Sequence, residues 1–272
     1  MSYDKIVVLV WTQKCCNCKG VGFNSWGVGY WGLGDLIRGT IKLYQLSKIM
    51  GFKLIVNIDL HPISLFLKKR YSEYDKMVLE NKNKINFILP GQVENYINNT
   101  KDEIIFLLTN DFCNINNIDL DCKNFIKDIL TPNNELNYLL SEQKISEYDI
   151  IHLRLGDDNI IDDKIDQNKN IKLKNILINN IDNKNSILMC DSKYFKKKLK
   201  EDVVFNDIIK IFDLDICHVG YETDSEKLKN TMFEFFIISK SNLIKTYSVY
   251  SWTSGFVQWI SIIYDIPLIK IN

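Results

Sequence analysis

Alternating strand-like and helix-like segments predict an α/β fold with parallel sheets flanked by helices. Short unbroken runs of Val, Ile and Leu recur along the chain, as strands buried on both faces require. Segments with apolar residues at helical spacing separate them. The length of 272 residues, 46% of them apolar and 12% aromatic, suits two cores better than one. The two units are expected to meet near residue 145, giving domains 1–147 and 148–272.

Each element has its own signal. Ile6–Trp11 is an apolar run read as a first buried strand. Gly20 to Gly39 then holds seven of the twelve glycines. A helix over Asp35–Met50 follows from Leu36, Ile37, Thr40, Ile41, Leu43, Tyr44 and Ser47 on one stripe. Asp35 is its expected N-cap and Gly51 its stop. Phe52–Ile58 reads as a strand, Pro62–Tyr71 as a helix and Ile104–Thr109 as a strand. Asn114–Asn117 and Asn133–Asn137 read as loops or helix ends. Asp149–Gly156 and Ser186–Asp191 are strands, and Asp158–Asn170 an exposed polar loop. Asp224–Ser239 is a helix with Thr223-x-x-Glu226 as a candidate capping box. Leu243–Tyr247 is a strand, Ser254–Tyr264 a helix, and Leu268–Ile271 the last strand.

Composition excludes several functions. The 34 basic and 34 acidic residues cancel, so there is no basic excess to drive nucleic-acid binding. No run of 18 apolar residues exists to span a membrane. The N-terminus lacks a signal-peptide pattern, and the seven cysteines are odd in number. A cytoplasmic protein with reduced thiols is expected; Cys15, Cys16 and Cys18 cluster, but without a second pair at zinc-site spacing. The chain has no alanine and 29 asparagines, a bias that reads as an AT-rich genome such as a virus, parasite or protist. Only three of the 34 basic residues are arginine: Arg38, Arg70 and Arg154. Where lysine serves almost everywhere, a retained arginine is a candidate for a place that needs a planar guanidinium, the alternative being chance retention.

Three segments carry candidate chemistry. Gly27 to Asp35 is glycine-rich and opens a helix, where backbone amides meet anions. Its G-x-G-x-x-G spacing (Gly27, Gly29, Gly32) follows a loop too long for the tight turn of a dinucleotide site. In Ile151 to Asp157, His152 and Arg154 share one strand face, and the segment ends in Gly156-Asp157. Arginine at the carboxyl end of a parallel strand suits bidentate capture of a phosphate or carboxylate; the alternative is a surface ion pair with Asp157 or Asp158. Tyr250 to Phe256 supplies hydroxyls, among them Ser251 and Ser254, before a second helix N-terminus. Glu234 shares a helix face with Asn230 and is expected to be solvated unless it accepts from a base or sugar. Asp119-Leu120-Asp121 and Asp213-Leu214-Asp215 have the D-x-D form of a metal-dependent GT-A glycosyltransferase.

In this order the pieces resemble the GT-B fucosyltransferase-like superfamily, which includes protein O-fucosyltransferases and α1,2- and α1,6-fucosyltransferases. The resemblance rests on Gly32-Leu33-Gly34-Asp35, His152-Leu153-Arg154-Leu155-Gly156-Asp157, Cys190-Asp191, Glu234 and Ser254-Gly255-Phe256. It implies a GT-B-like fold of two Rossmann-like domains with a cleft between them, the acceptor on residues 1–147 and the donor on 148–272. It implies an inverting transfer without cofactor or metal, from GDP-fucose or another GDP-sugar to a glycan or protein hydroxyl. Arg154 would hold the β-phosphate. His152 and Glu234 would lie near the nucleoside, and Ser251, Ser254, Gly255 and Phe256 near the phosphates. Gly32, Gly34, Asp157 and Asp191 would complete the donor site. Asp35 stands where the family has asparagine and is the candidate general base. Leu155 replaces the family's second arginine, which keeps a non-catalytic sugar- or nucleotide-binding relative in view.

Overall fold

The computed structural model describes residues 4–13, 29–156, 165–181, 185–220 and 223–272. Two compact units divide the chain, one of residues 1–136 with 219–223, the other of 137–218 with 224–272. The division thus falls between Leu136 and Asn137, and a short later segment returns to the first unit.

In the first unit the elements run β1 (Ile6–Val10), α1 (Leu33–Met50), β2 (Lys53–Asn57), α2 (Asp75–Glu80), β3 (Asn86–Ile88), α3 (Val93–Asn99), β4 (Ile104–Thr109) and α4 (Leu120–Ile129). A further helix, α5 (Asn134–Glu142), runs across the division. The four strands form a wholly parallel sheet in the order β2-β1-β4-β3. Alternation along β1 sends Val8 and Val10 to a cluster with Tyr74, Val78 and Phe106. Trp11 belongs to the other set and donates through Nε1 to Thr40 of α1 at 3.2 Å. Helix α1 lies so close to β4 that a Cβ on Gly39 would meet the Thr109 carbonyl oxygen at 2.0 Å, so this position has room only for glycine.

The second unit contains β5 (Asp149–Arg154), α6 (Gln167–Ile178), β6 (Ser186–Cys190), α7 (Lys193–Lys200), α8 (Val203–Ile208) and β7 (Lys210–Ile211). After these come α9 (Ser225–Ile238), β8 (Leu243–Ser248), α10 (Gly255–Tyr264) and β9 (Leu268–Lys270). Its five strands are again all parallel, in the order β7-β6-β5-β8-β9. The chain winds outward through β6 and β7, then crosses to the far side of β5 for β8 and β9. The order therefore reverses between β5 and β8, and at such a switch point the carboxyl ends of the strands open a crevice for ligands. Ile151, Leu153, Leu188 and Cys190 pack with residues of α6, α7 and α8 in one buried cluster.

Several local expectations need correction. Helix α1 starts at Leu33 with Gly32 as N-cap; Asp35 sits in its first turn and does not cap it. Pro62–Phe66 is a short 3-10 turn, after which Leu67 pairs with Pro132, so no helix runs to Tyr71. Residues 167–170, expected in a loop, are helical because Asp166 caps α6 by accepting from the Lys169 amide. Asp224, rather than Thr223, caps α9, accepting from Lys227. The two asparagine-rich stretches are a short turn and a helix end as expected: Asn114–Asn117 closes on a 3-10 turn, and Asn134 opens α5.

Candidate functional site

The second unit gathers its polar groups at the switch point. In β5, His152 and Arg154 share a face, and the register sets them beside Thr246 and Ser248 of β8. His152 Nδ1 and Thr246 Oγ1 share a hydrogen bond of 3.1 Å. Burial, helped by the charge of Arg154, pushes the His152 pKa down to about 3, so the ring is neutral at physiological pH. Leu153 pairs with Cys190 on the opposite neighbour, which puts Asp191 directly beside Arg154. Arg154 Nη1 meets Asp191 Oδ2 at 2.7 Å, with the two side chains only 15% and 7% exposed. The Leu155 amide donates to Asp191 Oδ1 at 2.9 Å, and the Gly156 amide donates to the same carboxylate. Burial raises the Asp191 pKa, while Arg154 and the two amides pull it back. Gly156 has φ 111°, a conformation that a side chain would oppose.

Beyond β8, the Val249 amide donates to the Arg154 carbonyl at 3.0 Å, tying the start of the next loop to β5. That loop presents Tyr250 and Trp252 with rings stacked 4.8 Å apart, and Ser251 exposed. Ser254 then caps α10 without a side-chain bond. The first amides of that helix have no intrahelical partner, and a Cβ on Gly255 would meet open space. This is a helix N-terminus suited to an anion. Phe256 is turned to the core, with its ring 5.7 Å from that of Phe235.

Glu234 is not solvated. It is buried on α9, its Oε1 has no hydrogen-bond partner, and its nearest cation is Lys196 Nζ at 3.9 Å. Burial is the main reason that its pKa rises to about 7. Lys196 is itself buried and donates to the Leu214 carbonyl at 2.6 Å. Asn230 of the same helix face donates to the Asp215 carbonyl at 2.9 Å.

The carboxyl edge of the first sheet is built differently. Asp35 pairs with Arg38 at 2.9 Å across one turn of α1, near the capping Gly32 and the helical Gly34. Arg38 Nε donates to the Asn110 carbonyl at 2.9 Å, and its guanidinium lies 4.5 Å over the exposed Phe112 ring. Tyr30 packs edge-on against the buried His61 at 4.9 Å, and Trp31 against Phe87 at 5.4 Å.

The structure thus brings His152, Arg154 and Asp191 together, with the loop carrying Ser251, Ser254 and Gly255 tied to the same strand. Asp35, Gly32 and Gly34 belong to the other unit. Asp157, Cys15, Cys16 and Cys18 lie outside the described residues. Sequence reasoning missed Thr246, which strand alternation on β8 indicates, and Lys196, which a run of surface-like lysines conceals. The D-x-D triplets have other duties. Asp119 caps α4, Asp213 pairs with Lys200 at 3.4 Å, and Asp215 pairs with Lys193 at 2.6 Å. Among the described residues no three His, Cys, Asp or Glu side chains gather as a metal-binding group, and no helix is long and apolar enough to cross a membrane.

No protein-family model matches the chain, and no curated protein matches it in sequence. Solved structures do. NodZ α-1,6-fucosyltransferase soaked with GDP-fucose matches with a TM-score of 0.55 at 10% identity, over 98% of this chain and 94% of that one. The same enzyme co-crystallised with GDP gives 0.55 at 8% identity, over 100% and 96%. Fucosyltransferase NodZ from Bradyrhizobium gives 0.54 at 9%, over 100% and 96%. The fold is therefore shared with these fucosyltransferases, in keeping with the α/β architecture expected from the motifs.

Proposed function

We propose that this protein is a glycosyltransferase that moves a sugar, most naturally fucose, from a GDP-sugar to a hydroxyl of a glycan or protein, with inversion and without a metal. The observation that carries this is Arg154 at the β5–β8 switch point, held by Asp191. Sugar transfer from a nucleotide builds negative charge on the departing diphosphate as the sugar gains cationic character. Fixed donors aimed at that charge lower the barrier, and they cost no reorganisation at the moment of reaction. Arg154 supplies two or more N–H groups in one plane, and the α10 amides supply more from the helix end. The neutral His152, hydrogen-bonded to Thr246, adds no charge of its own. The fold it shares with fucosyltransferases solved with GDP-fucose and GDP supports guanosine diphosphate as the carrier. Unbridged Cys113, Cys122, Cys190 and Cys217 suit work in the reducing cytoplasm.

A thermal-shift series with GDP, UDP, CDP and their sugars tests the donor. Stabilisation by GDP and GDP-fucose is expected; stabilisation by UDP alone refutes the reading. Transfer that survives a chelator supports the metal-free route, and loss restored by manganese contradicts it.

A second reading has its own support. The Asp35 carboxylate is engaged by Arg38, and Leu155 stands in the resemblance's second arginine position. A non-catalytic binder would show tight GDP binding with neither transfer nor donor hydrolysis.

A further inference from the structure

We infer that Asp191 is a positioning residue, which acts on the donor through Arg154 and does not touch the donor itself. This rests on the reading of Arg154 as the ligand of the diphosphate. Both oxygens of Asp191 are occupied by the protein: Oδ2 by Arg154 Nη1 at 2.7 Å, and Oδ1 by the Leu155 amide at 2.9 Å, with the Gly156 amide as a further donor. A buried carboxylate so satisfied has no donor groups to offer a phosphate, and its charge repels one.

What it does supply is geometry. A guanidinium is planar, so anchoring Nη1 restricts the plane of the whole fork. The amides of Leu155 and Gly156 bind the same carboxylate, so Asp191 also holds the turn that carries the chain away from Arg154. The strand register, Leu153 with Cys190, sets the acid opposite the arginine without any movement. A buried pair of this kind contributes little net stability, because desolvation of both charges offsets their attraction. Its value is in a ligand-ready arginine that has already lost its rotamer freedom.

The β-phosphate is what separates GDP from GMP, so the two nucleotides report on Arg154 selectively. Calorimetric titration of both into wild type, Arg154→Ala, Asp191→Asn and the double variant tests the inference. Asp191→Asn is expected to weaken GDP roughly tenfold, as for loss of a charge-assisted contact, with GMP unchanged. In the Arg154→Ala background it should add nothing. Equal weakening of GDP and GMP, or additive losses in the double variant, would show a general structural role and overturn the inference. So would unchanged GDP binding in Asp191→Asn where Arg154→Ala weakens it. Unchanged GDP binding in Arg154→Ala removes the diphosphate reading itself, and the inference with it. If Asp191→Asn does not fold, Asp191→Glu keeps the charge and displaces the acceptor by one methylene. A severalfold loss for GDP alone is then the expected result, and unchanged GDP binding overturns the inference.

Discussion

The two sheets end in edges that use the same residue types to different effect. At the second, Arg154 and Asp191 are 15% and 7% exposed and come from neighbouring strands. At the first, Arg38 and Asp35 are 22% and 42% exposed and come from one turn of a helix. The buried pair is held by backbone amides as well as by charge. The half-buried pair is held by a short helical spacing, by the Asn110 carbonyl and by stacking on Phe112. A pair that spans two strands is fixed as firmly as the sheet; a pair on one helix turn is more open to solvent. On that comparison the second edge holds the more firmly fixed charge, which is what the proposed donor site requires.

Deleting each arginine in turn separates the two edges most. Arg154→Ala should lower transfer about 100- to 1,000-fold, the usual cost of losing one charge-stabilising donor. Arg38→Ala should lower it less than about tenfold, in keeping with a solvent-screened pair. Equal losses in initial-rate assays would erase the distinction.

The glycines that meet the two edges give the next contrast. Gly39→Ala should cost roughly 3 kcal/mol in urea unfolding, because its Cβ would meet a backbone oxygen that cannot yield. Gly255→Ala should stay within about 0.5 kcal/mol, since its Cβ enters open space. A mild Gly39→Ala would mean that α1 is not packed tightly on β4.

Glu234 gives the second unit a pH dependence. Its folded pKa of about 7 lies above the ordinary 4.5, so the native state binds the proton more tightly. The stabilisation is complete below pH 4.5 and lost as pH rises through 7. The full span is roughly 3 kcal/mol. Glu234→Gln should flatten this part of the stability–pH curve, and an unchanged slope between pH 4.5 and 7 would count against it. A small effect is also expected at Arg70, whose exposed fork grips Asp128. Arg70→Lys should cost less than about 1 kcal/mol.

All three retained arginines do use the planar group: Arg70 on a carboxylate, Arg38 against a ring and a carbonyl, Arg154 against Asp191. Composition alone pointed to them. The long strands were legible because burial on both faces demands continuous apolar runs. Two of the edge strands, β3 and β7, were not, since Asn86–Ile88 and Lys210–Ile211 are too short for any period to register. Helix α7 was hidden for a related reason: Lys196 looks like one more surface lysine in a lysine-rich run, and only its neighbours reveal that it is buried.

From its sequence alone, this protein is a two-unit parallel α/β chain with His152 and Arg154 on one strand face and an anion-suited helix start at Ser254. These follow from local periods, and local periods are written in neighbouring residues. Tertiary structure decided the partners. Sequence proximity pointed Arg154 toward Asp157 or Asp158, which lie outside the described residues; among the described residues it pairs with Asp191, 37 residues away, placed there by the β5–β6 register. It also took Glu234 out of water and set it near Lys196. Register and burial arise from the packing of distant segments, and no local pattern encodes which charges that packing brings together.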